Sequence, residues 1–175
     1  MLYLFDANID LCEAWERAFF TEISDGTVKV LNAILDDVPP CAILVTAGNS
    51  FGIMSGGIDL AVRTRFGQDV QDRVQGAITN RVGGIMPVGE YEMVQINDRD
   101  YPSLMYVPTM TAPMEVNIDN VIRSFYPVAR VVHANKGVII ACPGLCTGRG
   151  NVPAEQAARA MKKVYDLAYE IDELE

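Results

Sequence analysis

Apolar residues follow two different periods along the chain, and these periods predict alternating strands and helices. Short apolar runs such as residues 42–45 (AILV) and 138–141 (VIIA) are typical of buried strands. The predicted strands cover residues 2–6, 27–34, 41–46, 89–95, 104–107 and 137–142. The predicted helices cover residues 10–21, 59–78 with an interruption at Gly67, 117–134 with Pro127 bending or breaking the helix, and 154–173. In the first helix, Trp15, Phe19 and Phe20 are predicted to form the buried side.

Two glycine-rich loops each connect a predicted strand to a predicted helix. Residues 46–59 read TAGNSFGIMSGGID, and residues 143–153 read PGLCTGRGNVP. Glycines let backbone N–H groups approach a ligand closely, and a helix N-terminus attracts anions. Because open α/β sheets bind ligands at the carboxyl ends of their strands, we expect the two loops to face each other there.

The alternation of strands and helices predicts the fold class. We expect an α/β protein, a three-layer α/β/α sandwich with a mixed, largely parallel central sheet. The chain has 175 residues, half of them apolar, and we expect residues 1–175 to form a single domain.

Composition and charge argue against nucleic-acid-binding, metal-binding and membrane-spanning proteins. The formal net charge of −9 argues against broad binding to nucleic acid, which needs a basic face, but it allows a small anionic ligand held by N–H groups. The four cysteines form no CxxC pair and there is one histidine, so we expect no metal site and no cofactor. No apolar run approaches the ~20 residues of a membrane span. With no export signal recognised and no cysteine pattern of a disulfide framework, we expect a cytoplasmic protein with no membrane partner.

The two loops resemble the binding loops of macrodomains. The resemblance rests on the segments AGNS (47–50) and SGGID (55–59), and more loosely on CTGRG (146–150), and it spans roughly residues 27–167. Macrodomains are three-layer α/β/α modules that bind ADP-ribose, and several hydrolyse ADP-ribosyl linkages. The resemblance therefore implies a cleft for ADP-ribose or a related nucleotide sugar, such as ADP-ribose 1″-phosphate. It also makes an ADP-ribosylated protein a candidate partner.

The resemblance also implies roles for individual residues. Asn49 falls on the asparagine that contacts the distal ribose, and Asp59 matches an aspartate that acts with it in MacroD-type hydrolases, so both are candidate catalytic residues. Phe51 is a candidate to pack on that ribose, and Arg149 to pair with a phosphate. The implied ligand-binding set is Ile34, Ala47, Gly48, Phe51, Ser55, Gly56, Gly57, Ile58, Cys146, Thr147, Gly148, Arg149 and Gly150.

Four of these residues also have a purely structural alternative. Asn49 is equally suited to cap its own loop, and an aspartate such as Asp59 in the first turn of a helix commonly complements the helix dipole. Arg149 fits a solvent-facing position on a mobile loop. For Cys146, packing within the loop is favoured over a reactive thiol.

Some positions depart from the family pattern. Ala33 stands where macrodomains usually carry the aspartate that binds the adenine amino group, and Asp6, Asp36 and Asp37 are candidate substitutes. Thr46 replaces the first asparagine of the family's Asn-Ala-Ala-Asn run. Three function classes therefore stay open: a metal-independent ADP-ribosyl hydrolase, a non-catalytic reader of ADP-ribose or another nucleotide, and an interaction domain with an altered cleft.

Overall fold

Six strands form one sheet in the computed structural model, which describes residues 1–174. The sheet order is β2-β1-β6-β3-β5-β4. The strands are β1 (Leu2–Asp6), β2 (Val28–Asn32), β3 (Ile43–Asn49), β4 (Glu92–Gln95), β5 (Ser103–Met110) and β6 (Ile140–Pro143). Neighbouring strands are parallel except β4 and β5, which are antiparallel, so the predicted mixed, largely parallel sheet is confirmed. Glu175, the last residue of the predicted domain, lies outside the described residues.

Helices cover both faces of this sheet. They are α1 (Ile9–Ala18), α2 (Phe20–Ser24), α3 (Gly57–Phe66), α4 (Gln68–Thr79), α5 (Ile118–Ala134) and α6 (Ala154–Asp172), with 3-10 turns at Leu35–Asp37 and Val82–Gly84. None of the helices within residues 1–174 has the length and apolar character needed to cross a bilayer.

Two apolar cores lie on opposite faces of the sheet because side chains alternate along each strand. Val45, Met105 and Cys142 pack with α1, α5 and α6 on one face. Their chain neighbours Leu44, Leu104 and Ala141 pack with α3 and α4 on the other. This arrangement confirms the predicted three-layer α/β/α sandwich.

Two of the predicted helices differ from the observed ones. The first predicted helix is broken at Phe19, which has non-helical φ and ψ of −101° and 26°. Phe19 is buried, but Phe20 begins the separate helix α2 and is 72% exposed, so the prediction that Phe20 is buried was wrong. Helix α5 continues through Pro127 without a break. The interruption at Gly67 is confirmed, since this residue has φ +103° between α3 and α4.

The parallel strands place five connections at one edge of the sheet. The chain leaves the carboxyl ends of β1, β2, β3, β5 and β6 at this edge, and both glycine-rich loops are among these connections. Pro108 is tolerated in β5 because β4 pairs with β5 only as far as Tyr106.

Candidate ligand-binding cleft

The five connections enclose a cleft with a volume of about 790 Å³. This is within the usual size range of a small-molecule site. Its walls come from the β1–α1 turn, the chain after β2, both glycine-rich loops and the chain after β5. The lining residues outside the two loops are Phe5, Asp6, Ala7, Asn8, Ala33, Ile34, Leu35, Ala61, Thr109, Met110 and Pro113.

The Asn49 side chain organises the first loop. Its Nδ2 donates a hydrogen bond to the carbonyl oxygen of Ile53 at 2.8 Å. Its Oδ1 accepts from the backbone N–H groups of Phe51 at 3.0 Å and Ile53 at 3.3 Å. The structural alternative for Asn49, a loop cap, is therefore present in the molecule. The residue also lines the cleft, and Nδ2 carries a second proton for a ligand.

Helix α3 begins at the cleft without a side-chain cap. Gly56 is its N-cap residue and makes no capping hydrogen bond. The first N–H groups of a helix have no acceptor within the helix, and the helix dipole adds positive potential there. A Cβ added to Gly56 or Gly57 would have no protein atom within 4 Å, so both residues border open space. The start of α3 is therefore suited to an anion.

The second loop lies on the other side of the cleft. Cys146 has φ +65° in a left-handed conformation, and its carbonyl oxygen accepts the N–H of Val152 at 2.9 Å. Gly150 is required there because a Cβ would lie 2.6 Å from that carbonyl oxygen, whereas Gly148 faces open space. Burial raises the pKa of the Cys146 thiol to about 12, which fits packing rather than reactivity. Arg149 is exposed at the rim of the cleft.

Asp59 is a buried carboxyl group at the base of the cleft, only 2% exposed. Its Oδ1 accepts a hydrogen bond from the Thr46 hydroxyl at 2.6 Å, and the carboxyl also contacts the Tyr106 hydroxyl. Burial raises the pKa of Asp59 to about 8, against the opposing effect of these two hydrogen bonds. The group is therefore mainly protonated at pH 7.

Asp6 is a second aspartate that the fold brings to the cleft, beside Asp59. Its Oδ1 accepts the N–H of Asn8 at 2.9 Å, and its Oδ2 accepts the N–H of Gly144 at 3.3 Å. It thus connects the β1–α1 turn to the second loop. Of the three aspartates considered as substitutes for Ala33, only Asp6 lines the cleft, and Asp36 instead forms an ion pair with Arg65 at 3.5 Å.

Most of the predicted site residues meet in this cleft. The lining includes Asn49, Asp59, Ile34, Ala47, Gly48, Ser55, Gly56, Gly57, Ile58, Cys146, Thr147, Gly148, Arg149 and Gly150. Phe51 does not line the cleft, and its side chain is 43% exposed. Among the side chains that the structure describes, no three of His, Cys, Asp or Glu are grouped to hold a metal ion.

A family model agrees with this architecture. The model of the Macro domain matches residues 45–161, which are more than half of the chain. The chain belongs to the macrodomain family. The matched region includes both glycine-rich loops.

Relatives of this macrodomain are distant in sequence. An uncharacterized protein of Aquifex aeolicus (strain VF5) is 28% identical over 137 residues, which cover 77% of this chain and 78% of that protein. The macrodomain of Mycobacterium tuberculosis DarG superposes with a TM-score of 0.63 at 16% identity, covering 77% of this chain and 87% of the other. A mutant Oceanobacillus iheyensis macrodomain with ADPR gives a TM-score of 0.63 at 18% identity, covering 74% and 72%. These two structural matches support the fold alone.

Sequence reasoning missed Tyr106 in this macrodomain. Its hydroxyl contacts both main-chain groups of Asn49 at the end of β3. In sequence it is one aromatic residue in an apolar strand, indistinguishable from a residue that only packs in the core. The approach of its hydroxyl to the first loop depends on strand register, which local sequence does not encode.

Proposed function

We propose that this macrodomain binds ADP-ribose or a closely related nucleotide sugar in the cleft. The observation that carries the proposal is the pair of opposed loops, with the uncapped start of α3 on one side and Arg149 on the other. A pyrophosphate needs several N–H donors converging on a small volume, and this arrangement supplies them despite the acidic net charge of the chain. The Oceanobacillus iheyensis macrodomain with ADPR has the same fold.

The pyrophosphate would lie between Gly56, Gly57 and Ile58 on one side and Thr147 to Gly150 on the other. Gly56, Gly57 and Gly148 border open space into which no protein atom projects within 4 Å of an added Cβ. A phosphate group can therefore approach the main chain at these positions. Arg149 would add a charge-assisted hydrogen bond.

The two ends of the ligand would meet different chemistry. Asn49 would present the remaining N–H of its amide to the distal ribose. At the other end, Ala33, Ile34 and Leu35 offer an apolar surface for a base, and Asp6 offers a carboxylate acceptor for an exocyclic amino group. Because Asp6 is a carboxylate near the base, we expect the cleft to prefer adenine over bases that present a carbonyl oxygen there.

Hydrolysis of ADP-ribosyl linkages is a second candidate function. It is favoured by the presence of Asn49 and Asp59 in the same cleft. The Asn49 amide is engaged with its own loop and Asp59 is buried, which favours binding without turnover. The assays below therefore distinguish a hydrolase from a protein that only binds ADP-ribosylated partners, a reader.

We also propose that the protein works in a reducing compartment such as the cytoplasm, because all four cysteines are free and buried.

Calorimetry with ADP-ribose, ADP, GDP, AMP and NAD tests the binding proposal. We expect saturable binding of ADP-ribose and stronger binding of ADP than of GDP. If no ligand gives a heat of binding at millimolar concentration, the binding proposal fails, and of the three function classes only an interaction domain with an altered cleft is left.

Turnover assays then separate an enzyme from a reader. The substrates are peptides ADP-ribosylated on aspartate or glutamate, and ADP-ribose 1″-phosphate. If Asp59 acts as a general base, the rate should rise as the pH passes about 8, because only the ionised carboxylate accepts a proton. A protein that binds ADP-ribose but turns over neither substrate is a reader.

A further inference from the structure

The end of β3 is held by side chains rather than by a regular strand ladder. The register between β3 and β5 shifts between Gly48 and Asn49. Two hydroxyls of β5 take part instead. Thr109 Oγ1 donates to the carbonyl oxygen of Gly48 at 3.2 Å. The Tyr106 hydroxyl accepts the N–H of Asn49 at 2.9 Å and donates to its carbonyl oxygen at 2.8 Å.

Gly48 makes the approach of Tyr106 possible. A Cβ at position 48 would lie 2.1 Å from the Tyr106 hydroxyl oxygen and 2.6 Å from Asp59 Oδ2. The absence of a side chain therefore lets a phenol and a carboxyl group meet directly beneath the loop. Asp59 is in turn held by the Thr46 hydroxyl.

Counting protons shows which form of Asp59 completes this network. A phenol oxygen has one proton to donate, and Tyr106 uses it on the Asn49 carbonyl. A neutral Asp59 carboxyl can donate its own proton to the Tyr106 oxygen, while its Oδ1 accepts from Thr46. An ionised Asp59 would instead compete with Asn49 for the single phenol proton. The raised pKa of Asp59 agrees with the neutral form.

We infer that Tyr106, supported by Asp59, is a positioning residue that fixes the main chain of Asn49 and so directs its amide into the cleft. For its effect on the ligand, this inference rests on the proposed binding of ADP-ribose. Asp59 then acts through Tyr106 and the loop rather than on a reacting atom. Tyr106 does not line the cleft, which agrees with an indirect role.

Tyr106→Phe tests the inference, with Tyr101→Phe as the matched control. Both tyrosines are buried, and each hydroxyl donates to a main-chain carbonyl oxygen, that of Asn49 for Tyr106 and that of Val38 for Tyr101. Neither Tyr101 nor its partner Val38 lines the cleft, whereas Asn49 does. We expect Tyr106→Phe to weaken ADP-ribose binding about tenfold, because the loop loses its anchor. We expect Tyr101→Phe to lower the melting temperature without changing that affinity.

Amide hydrogen exchange at Asn49 gives a readout that needs no ligand. In Tyr106→Phe the Asn49 N–H loses its acceptor, so its exchange should be faster than in wild type, whereas Tyr101→Phe should leave it unchanged. If wild type does not bind ADP-ribose but this exchange effect is seen, the binding proposal fails and the positioning role stands. If Tyr106→Phe folds with wild-type affinity or with wild-type exchange at Asn49, the inference is overturned.

A second variant covers the case in which Tyr106→Phe does not fold. Thr46→Val removes the hydroxyl that holds Asp59 and leaves Tyr106 in place. We expect it to accelerate exchange at Asn49 in the same direction and by a smaller factor. Unchanged exchange at Asn49 in a folded Thr46→Val protein would contradict the network.

Discussion

At the scale of single residues, burial determines what Asp59 can do. An aspartate in the first turn of a helix is usually ionised and complements the helix dipole. This is the structural role that the sequence suggests for Asp59. Here the hydrogen bonds to Thr46 and Tyr106 lower the pKa of the carboxyl group, but its removal from water raises the pKa by more. The neutral form is therefore the one that the fold stabilises.

The first prediction concerns the pH dependence of stability. The pKa of Asp59 is raised in the fold to about 8, so the folded state holds more protons than the unfolded state above about pH 4. The stability contributed by the neutral form is complete below that pH and is lost as the pH rises towards 8. The free energy of unfolding of wild type should fall relative to Asp59→Asn by up to about 1.4 kcal/mol per pH unit in this window.

Urea unfolding at several pH values between about 5 and 8 measures this difference. Asp119→Asn is the matched control, since Asp119 is an exposed aspartate in the first turn of α5. We expect the free energy of unfolding of Asp119→Asn to change with pH in the same way as that of wild type. A difference between wild type and Asp59→Asn that does not change with pH would show that the pKa of Asp59 is not raised.

Arg149 provides a second prediction at this scale. Arg149→Ala should weaken ADP-ribose binding about tenfold, because one charge-assisted hydrogen bond to phosphate is lost. The effect should shrink at high salt, since Arg149 is exposed. Arg99→Ala, an exposed arginine that does not line the cleft, is the control for the change in net charge. Equal affinities for the two variants would place Arg149 outside the site.

At the scale of elements, the end of β3 is the part most sensitive to a small change. We expect Gly48→Ala to destabilise the fold by about 1–3 kcal/mol, because its Cβ would overlap the Tyr106 ring and the Asp59 carboxyl. Gly148→Ala is the control, since its Cβ would meet no atom within 4 Å, its φ is not positive, and it lies outside the helices and strands. Thermal unfolding compares the two. Similar melting temperatures would contradict the packing described at Gly48.

The elements also show where sequence patterns are informative. The break at Gly67 could be predicted because glycine readily adopts the positive φ found there. The break at Phe19 could not, since an aromatic residue carries no local signal for a helix end. Proline usually breaks a helix, yet Pro127 is buried within α5. The neighbouring side chains Phe125, Val128 and Ala129 pack in the core, and this packing outweighs the lost hydrogen bond.

The site was predictable to a similar degree. Glycine spacing after two apolar strands identified both loops, because strand, turn and helix start are each local signals. The contribution of the β1–α1 turn was not predictable in the same way. It depends on β1 lying between β2 and β6, and strand order is set by packing of the whole sheet. The same limit applies to Tyr106, whose position depends on the pairing of β5 with β3.

At the scale of the whole molecule, the two cores share one sheet. Every strand except β4 contributes side chains to both cores, so neither core can lose its packing without exposing the back of the other. We therefore expect residues 1–175 to unfold as one unit, in a single transition with calorimetric and van't Hoff enthalpies equal. Two separate transitions would divide the chain into independent parts.

The most direct measurement is titration of the wild-type protein with ADP-ribose in a calorimeter. The opposed loops, the uncapped start of α3 and the open space at Gly56, Gly57 and Gly148 predict saturable binding of one ADP-ribose per chain, which excess ADP should reduce. Absence of heat at millimolar ADP-ribose, with the protein folded by circular dichroism, would contradict a nucleotide-sugar site in this cleft.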